Sequence, residues 1–528
     1  MPGRNNLHSN YDAVIVGGGL AGMTLALQLH QAAPNLEIVV LEKSHLPPPV
    51  AAHKVGESVV EIGAHYLSHD LGLESLLEST QLRKFGLRFF FDSANQSDLA
   101  NADELGASNF LPVISYQLDR GRLETDLARL LGSHGIQVMD ACMVKQVSIG
   151  DNGKAHEVQF NQNGSQLSIR CNWVVDAASR FGLLKRRLKL EKPIDHNINA
   201  SWFRLDASID VDEWSNSTLW KERCNGLQRK FSTNHLVGAG YWAWIIPLVG
   251  GKTSIGLVAD PDIHPFSSIN SFERLSDWLS INQPHLAEKV SSASDTLMDF
   301  KYLKHYSHDC QQLWSNDRWA LTGEAGVFAD PYYSPGTDFI AISNTFICDL
   351  ITSKRSDSQH QIHAMVYERM YRSFFGSTMS LYEGQYPGFG DSRLTVVKST
   401  WDYCYYWSVL AWMYFRRVMT DISFVRTIEA QLNATRALNE SLQAVFRLRA
   451  AQQRTTPGQG RFFDQLAIPV MPELNAALLN PGADLNKEFT ENCERLKALA
   501  PLLLKLLNET ETARKNCSLL GDLSSRFA

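Results

Sequence analysis

The chain has 528 residues, of which 44% are hydrophobic and 20% charged, and its formal net charge is -6. This composition is typical of a soluble globular protein, and the length favours two or three domains. Basic residues form no long run, which argues against nucleic acid as a partner. No secretory signal pattern and no apolar stretch of bilayer length are visible, so we expect a cytoplasmic protein without membrane contact. The eight cysteines form no C-x-x-C pair, so we predict no metal centre.

A nucleotide-binding pattern begins at residue 11. Residues 11–16 (YDAVIV) predict a buried strand, and a helix pattern over residues 23–31 follows a glycine-rich turn. In this order, glycines allow a tight turn, a close approach of the backbone to phosphates and close packing of the helix on the sheet. The free N–H groups at the start of the helix then face the anion. The predicted dinucleotide contacts in this turn are Gly17, Gly19, Ala21 and Gly22.

An acidic residue ends the next predicted strand. Residues 37–41 form an apolar run, and Glu42 follows it, twenty residues after Gly22. A carboxylate at this spacing can accept hydrogen bonds from the ribose of a dinucleotide, which also disfavours NADP. The alternative is an ordinary solvated carboxylate at a strand end. Together with the glycine turn, Glu42 predicts a dinucleotide cofactor.

Three further segments carry distinctive motifs: residues 54–58 (KVGES), 240–247 (GYWAWIIP) and 320–331 (ALTGEAGVFADP). Together they resemble the flavin-dependent halogenases. Residues 54–58 (KVGES) match a segment beside the flavin ring, and residues 320–331 (ALTGEAGVFADP) match the second flavin motif. Residues 240–247 (GYWAWIIP) match W-x-W-x-I-P, the motif that separates these enzymes from aromatic hydroxylases. The resemblance covers about residues 11–415 and implies that the cofactor is FAD. It is strongest for the branch that acts on free phenols such as phloroglucinol.

The resemblance implies an α/β fold with a Rossmann-like FAD-binding domain of the p-hydroxybenzoate hydroxylase type. We predict this domain over residues 11–195 and 300–370. Alternating patterns over residues 196–299, with part of 82–118, predict an antiparallel sheet that walls off a substrate site. Residues 371–528 are predicted to be helical. Their aromatic-rich start could form a lid or only core, and their last hundred residues could cover the pocket or dock a partner.

Two tryptophans decide between the predictions of halogenation and of hydroxylation. Trp242 and Trp244 occupy alternate positions of one predicted strand and therefore point to one face. There they can fill the space in which a hydroxylase would bring its substrate to the flavin. An isolated aromatic pair is more often core packing. The complete motif, which includes Ile246 and Pro247, favours the blocking role.

Lys84 lies in an apolar segment that leads into a predicted strand. Most lysines in such settings extend to solvent, but the resemblance makes this residue the catalytic lysine that receives hypohalous acid from the flavin site. Partial burial disfavours the ammonium and can leave a neutral amine. That amine can form a haloamine, or the ammonium can polarise hypohalous acid by a hydrogen bond. A phenol beside it would then undergo electrophilic substitution.

Four other residues are candidate cofactor contacts. Ser58 can contact the flavin, although Ser58 and Glu61 also have the spacing of a helix capping box. Arg120 opens an amphipathic helix and can reach the dinucleotide or lie at the surface. In the second flavin motif, Glu324 stands where aspartate is usual and Asp330 precedes a proline.

An anion site is predicted at residues 332–339 (YYSPGTDF), where a helix opens with free amides. Pro335 has no N–H to offer a halide. Tyr333 stands where tryptophan-chlorinating relatives carry a glutamate, so the substrate base would be Tyr333 or an unidentified carboxylate. The predicted halide contacts are Ser334, Gly336 and Thr337.

These features predict chlorination or bromination of an electron-rich aromatic by reduced FAD, halide and oxygen, in secondary metabolism such as antibiotic biosynthesis. A phenol is favoured over an indole or a carrier-bound pyrrole, and a separate flavin reductase would supply the reduced cofactor. One alternative is an FAD-dependent aromatic hydroxylase. The other is a non-catalytic flavoprotein, which three departures from the family pattern would support: Ser179 in place of the usual glycine after a strand, Glu324 and Pro335.

Overall fold

The computed structural model describes residues 8–50, 54–96, 98–150 and 153–508. In chain order, its strands are β1 Asn10–Val16, β2 Ile38–Leu41, β3 Leu82–Arg83, β4 Leu87–Phe91, β5 Asp103–Gly106, β6 Tyr116–Gln117, β7 Gln137–Met139, β8 Cys142–Ser148, β9 His156–Gln162, β10 Ser165–Asp176, β11 Glu191–Lys192, β12 Asn199–Leu205, β13 Thr233–Gly238, β14 Tyr241–Leu248, β15 Lys252–Ala259, β16 Leu297–Leu303, β17 Asp309–Cys310, β18 Trp314–Ser315, β19 Trp319–Leu321 and β20 Phe462–Asp464. Its α-helices are α1 Leu20–Ala32, α2 Glu61–His65, α3 Glu74–Thr80, α4 Arg120–Ser133, α5 Leu183–Arg187, α6 Thr218–Glu222, α7 Phe272–Asn282, α8 Pro284–Ser292, α9 Gly336–Thr352, α10 Asp357–Met379, α11 Ser392–Tyr406, α12 Trp412–Phe415, α13 Ile422–Ala450, α14 Val470–Leu479 and α15 Leu485–Asn508.

The first sheet carries the dinucleotide fold. β1 pairs in parallel with β2 and β10, and the parallel arrangement continues to β7 on one side and β19 on the other. Parallel strands covered on both faces are apolar along their whole length, as the buried residues of β2 show. The prediction of a Rossmann-like domain within an α/β fold is confirmed.

The second sheet has the order β16-β12-β15-β14-β13-β4-β5-β20. Most neighbours are antiparallel, as predicted, but β13 pairs with β4 in parallel and β5 pairs with β20 in parallel. β16 belongs to this sheet, so the predicted domain boundary at residue 300 cuts a strand. β20 comes from the region that was predicted to be only helical, because three residues are too few to show a strand pattern.

The helical region supplies much of the core. α10 crosses the predicted boundary at residue 371, and connections that contain Pro457, Pro469 and Pro481 separate α13, α14 and α15. Residues 509–528, which were also predicted to be helical, lie outside the described residues. One apolar cluster joins this region to the first sheet, and a second lies between the other sheet and α7 and α8.

Three features are absent from the described residues: a membrane-spanning helix, a metal-binding cluster and a disulfide bond. None of their helices combines the length and hydropathy needed to cross a bilayer. Within the same residues, no group of histidine, cysteine and acidic side chains is arranged to hold a metal ion. The cysteines that the structure describes are buried free thiols.

Candidate active site

The glycine turn between β1 and α1 has the geometry that a dinucleotide requires. Gly17 has φ +115°, and a Cβ there would lie 2.4 Å from the Ala177 carbonyl oxygen. A Cβ on Gly22 would lie 2.0 Å from the Gly17 oxygen, so only glycine lets the helix pack this closely. At Gly19 the nearest atom to a Cβ would be a Glu124 oxygen at 4.0 Å. The start of α1, which no side chain caps, is thus open to an approaching phosphate.

Glu42 lies directly after β2, beside this turn. Its carboxylate accepts hydrogen bonds from the backbone N–H of Gly18 (2.7 Å) and of Ser44 (2.9 Å). Each carboxylate oxygen keeps a further lone pair, so the group can also accept hydrogen bonds from a ribose. Ala21 lies in the first turn of α1, with its Cβ 3.0 Å from where a Cβ of Gly323 would be.

A cleft with an empty volume of about 1120 Å³, here called the flavin cleft, lies between the second sheet and the start of α9. Most of the predicted site residues line it, but the glycine turn, Glu42, Pro247, Tyr333 and Lys84 do not. The predicted residues that line it are Ser58, Arg120, Trp242, Trp244, Ile246, Glu324, Asp330, Ser334, Gly336 and Thr337.

Arg120 links the flavin cleft to the glycine turn. It is the first residue of α4, and Asp119 caps this helix. Arg120 Nη1 donates to the Val55 oxygen (2.7 Å), and Nη2 donates to Glu124 (2.9 Å), the residue nearest to Gly19. Its Nε is buried without a partner, which is an unsatisfied donor suited to an anionic ligand.

The two indoles of β14 lie on the wall of the flavin cleft. Trp242 and Trp244 face the same side, and their ring centroids are 5.7 Å apart. Trp244 lies across Gly256 of β15, where a Cβ would meet the indole ring at 2.1 Å. Trp202 of β12 lies opposite the same glycine and also lines the cleft. The sequence analysis missed this third indole, although Gly256 was a signal that bulky side chains lie beside it.

Asp330 lies under the indoles and is fully buried. Its carboxylate accepts hydrogen bonds from Tyr386 (2.5 Å), Tyr306 (3.0 Å) and His196 (2.8 Å). Tyr386 in turn accepts a hydrogen bond from the Trp242 indole at 2.9 Å. Asp330 therefore holds Trp242 in place through Tyr386.

Two departures from the family pattern contact each other. Ser179 Oγ donates a hydrogen bond of 2.7 Å to the Glu324 carboxylate. The longer side chain at position 324 thus has a partner that glycine at position 179 would not provide. This pairing removes part of the support for a non-catalytic flavoprotein.

The predicted halide loop lies at the start of α9. Ser334 has φ +60°, and Pro335 precedes the first helical residue, Gly336. The amides of Gly336 and Thr337 therefore belong to the open first turn, which suits an anion. Ser334 Oγ donates a hydrogen bond of 3.0 Å to Ser58 Oγ.

Ser58 connects the halide loop to Lys84. Its hydroxyl accepts a hydrogen bond from Lys84 Nζ at 3.0 Å and shares another with Thr233 at 2.8 Å. The capping-box alternative is wrong: Val60 occupies the cap position of α2 and no side chain caps the helix. Ser58 instead bridges to Gln117 in extended conformation, which directs its hydroxyl away from the helix.

Lys84 is 3% exposed. Among the described residues, its ammonium nitrogen donates hydrogen bonds only to neutral acceptors, Ser58 Oγ and the Val59 carbonyl oxygen at 2.7 Å. Burial lowers its pKa to about 7, against the opposing effect of the Glu61 and Asp338 carboxyl groups. The amine and the ammonium are therefore both accessible near neutral pH.

Lys84 lines a second, smaller space with an empty volume of about 460 Å³, here called the lysine cavity. Its other lining residues come from the start of α2, the start of β4, the segment before β6 and the helical region. Tyr403 belongs to α11, Trp407 to the π-helical segment Trp407–Ala411, and Gln465 follows β20. The helical region thus helps to form the lysine cavity, and Trp407 also belongs to the apolar core together with Trp401 and Trp412.

Tyr333 lines neither the flavin cleft nor the lysine cavity. Its hydroxyl donates a hydrogen bond of 2.9 Å to Asp402, and burial raises its pKa well above its usual value. The phenol therefore keeps its proton at neutral pH, which is unsuited to a base. The acidic side chain that does line the lysine cavity is Glu61.

Comparisons with known proteins point to one class of enzyme. A family model described as an NAD(P)-binding Rossmann-like domain matches residues 15–78. The flavin-dependent halogenase chlA of Dictyostelium discoideum is 25% identical over 68% of this chain and 63% of its own length. The chain therefore matches less than two thirds of that relative. The 1H-pyrrole-2-carbonyl-(peptidyl-carrier protein) chlorinase of Pseudomonas fluorescens is 24% identical over 69% of this chain and 81% of its own length.

Among solved structures, the halogenase PltM in complex with phloroglucinol and FAD superimposes with a TM-score of 0.62. The two chains are 16% identical, and the match covers 94% of this chain and 96% of that one. At this identity the likeness shows a shared fold. The names of the curated relatives support a flavin-dependent halogenase enzyme.

Proposed function

We propose that this protein is a flavin-dependent halogenase that chlorinates or brominates an electron-rich phenol. One observation carries the proposal: Lys84 lies between the two cavities. Its side chain lines the lysine cavity, and its Nζ reaches the halide loop of the flavin cleft through the single hydroxyl of Ser58. A small oxidant made in the cleft can thus be received by Lys84 at the edge of the lysine cavity, where we place the substrate.

FAD suits the residues of the cleft and of the adjoining glycine turn. The open start of α1 would hold the pyrophosphate, and Glu42 the ribose. Arg120, whose Nε lacks a partner, would add a positive charge beside the dinucleotide. When bound in its reduced form, FAD supplies hypohalous acid from oxygen and halide.

The chain's own residues then separate the oxidant from the flavin. The amides of Gly336 and Thr337 hold the halide near the cleft wall. Trp242 and Trp244 occupy the wall on the sheet side, so a substrate cannot reach the flavin directly. The substrate must therefore bind elsewhere, and the lysine cavity is the adjacent space.

Lys84 delivers the halogen. Its amine form can take the halogen from hypohalous acid with release of water, and its ammonium form can donate a hydrogen bond to the acid's oxygen. A pKa of about 7 permits both forms. An aromatic ring in the lysine cavity then attacks the halogen, and loss of the ring proton restores its aromaticity.

A separate flavin reductase is the proposed partner. The sequence carries one dinucleotide fingerprint, at Gly17 to Gly22, and the FAD it binds must arrive reduced. The phenolic substrate draws support from the phloroglucinol in the PltM complex.

Mass spectrometry of a reconstituted reaction tests this function. Purified protein, FAD, a generic flavin reductase, NADH and bromide are combined with a panel of phenols, beside a reaction without halide. We expect a product with the bromine isotope doublet that forms only with both bromide and the reductase. An oxygen adduct without bromine would instead indicate a hydroxylase and contradict the blocking role of Trp242 and Trp244.

A further inference from the structure

A buried carboxyl group faces Lys84 across the lysine cavity. Glu61, the first residue of α2, is 8% exposed and lines the cavity together with Lys84. Asn475 of α14 donates a hydrogen bond of 3.1 Å to Glu61 Oε1. A carboxylate held in this way can still accept a proton from a ligand, because only one of its oxygens is engaged by Asn475.

The same cavity is lined by polar groups that lack partners. The indole N–H of Trp407, the amide nitrogen of Gln465 and the hydroxyl of Tyr403 are all buried without a hydrogen bond. Trp407 is 1% exposed and Gln465 is 3% exposed. The Trp407 indole lies near Glu61 and the Gln465 amide lies near the Tyr403 hydroxyl, and each acts to lower its neighbour's pKa, but neither pair is at hydrogen-bond geometry.

Unpaired buried donors are costly in a folded protein and usually mark a missing partner. The indole N–H and the amide N–H₂ can only donate, so the partner must carry acceptor oxygens. The Glu61 carboxylate can only accept, so its partner must be a group that donates a proton. A phenol with a second ring oxygen meets both demands, because each oxygen accepts hydrogen bonds and a phenolic O–H is acidic.

We infer that Glu61 accepts the phenolic proton of the substrate, while Trp407 and Gln465 bind its ring oxygens. The inference rests on the proposed halogenase function and deepens it. An indole or pyrrole ring would offer its N–H to Glu61 but leave the donors of Trp407 and Gln465 unpaired. Burial raises the pKa of Glu61, which brings it closer to that of a phenol and makes the transfer less uphill.

The proton and electron balance is complete. As the ring carbon attacks the halogen held at Lys84, the phenolic O–H bond breaks and its proton passes to Glu61. The ring becomes a halogenated dienone. The bond between halogen and oxygen breaks, and the oxygen of the hypohalous acid departs as hydroxide. Loss of the hydrogen on the substituted carbon to that hydroxide forms water and restores the ring, and Glu61 returns its proton to the phenolate oxygen. Phenol and hypohalous acid thus give halophenol and water.

Replacement Glu61→Gln tests the inference because it keeps the shape of the side chain and removes the base. Bromination of a dihydroxybenzene is compared with that of its dimethyl ether, which has no proton to give. We expect Glu61→Gln to lower kcat on the phenol about 100-fold and to leave the ether unchanged, while flavin oxidation continues. Glu61→Asp should recover part of the loss, and the exposed Glu74→Gln serves as the control.

An equal loss on both substrates, or no loss on either, would overturn the role of Glu61. Gln465→Leu provides a second variant in case Glu61→Gln folds poorly, and it should raise KM for the phenol with little change in kcat. Calorimetric binding of the same phenol and ether separates this inference from the proposed function. If the wild type halogenates nothing but binds the phenol about 10-fold more tightly than Gln465→Leu does, the function fails and the subsite stands. Equal binding of the phenol by wild type and Gln465→Leu would remove the subsite.

Discussion

Two buried lysines in this protein have opposite surroundings. Lys84 and Lys398 are 3% and 2% exposed. The Lys398 ammonium forms an ion pair with the Asp402 carboxylate, one turn further along α11. Lys84 contacts only neutral oxygens.

This difference in partners distinguishes Lys398, whose charge is paired inside the protein, from Lys84, which we propose to be reactive. Asp402 also accepts hydrogen bonds from Gln443 (2.7 Å) and Tyr333 (2.9 Å), so the Lys398 network is satisfied within the protein. Lys398 lines neither of the two cavities described above. Lys84 lies at a cavity, and its pKa of about 7 keeps a neutral amine available. Burial lowers the pKa of both lysines. The proposed reactivity of Lys84 therefore rests on its place at a cavity without an ion-paired carboxylate among the described residues, rather than on burial alone.

The largest effect on stability is expected at Lys398. Lys398→Met leaves the Asp402 carboxylate buried without its cation, which should lower the free energy of unfolding by about 3–5 kcal/mol. Denaturant unfolding of the variant measures this loss. The double variant Lys398→Met/Asp402→Leu should recover most of it, since neither charge is then buried. A single variant as stable as the wild type would remove the distinction between the two lysines.

Lys84→Met should raise the free energy of unfolding, whereas Lys398→Met should lower it. Each unit of pKa shift is worth about 1.4 kcal/mol, so even half of the shift from 10.5 to about 7 gives a stabilisation of about 2 kcal/mol. Below the folded pKa the wild type bears the full cost of a buried ammonium. That cost disappears as pH rises from about 7 towards 10.5, because the folded state holds a neutral amine there.

Unfolding of wild type and Lys84→Met at pH 6 and pH 9 checks this sign. The stability advantage of the variant should be full at pH 6 and smaller at pH 9. Other titrating groups are common to both proteins and cancel in the difference. An advantage that grows with pH would mean that Lys84 is charged and paired in the folded protein.

The smallest effect is expected at Ser58. Ser58→Ala removes one of two acceptors of the Lys84 ammonium, which should cost about 1 kcal/mol of stability at neutral pH. The substitution also breaks the hydrogen bond between the hydroxyls of positions 58 and 334. More hypohalous acid should then leave the protein for each reduced flavin consumed and halogenate a trap compound added to the solution. Halogenation of the trap measures this escape. An unchanged ratio of substrate to trap products would show that Ser58 has no part in delivery.

Local motifs made much of the fold and part of the site predictable. The glycine turn and Glu42 lie within one β-α-β unit, where spacing along the chain fixes spacing in the fold. Trp242 and Trp244 share a strand, so their common face followed from the period of two. The apolar neighbours of Lys84 alone favoured a lysine that extends to solvent, and only the family resemblance singled it out.

Contacts between distant segments were not predictable in this way. Glu61 suited a helix cap locally, yet its partner Asn475 is 414 residues away in the chain. Gln465 reaches the lysine cavity only because β20 adds to the edge of the second sheet, a pairing that three residues do not reveal. Tyr333 was named as a base because of its position in a motif, but its partner Asp402 belongs to a helix 69 residues away. No pattern in the sequence links these pairs.

The most direct measurement compares product formation with flavin oxidation in Lys84→Met. Reduced FAD, bromide, oxygen and a phenol are mixed with the variant or the wild type, and both rates are followed in the same reaction. We expect halogenated phenol to fall about 1,000-fold while the reduced flavin is oxidised at the wild-type rate. Halogenated phenol at the wild-type rate, or an equal fall in flavin oxidation, would contradict the delivery of the halogen by Lys84.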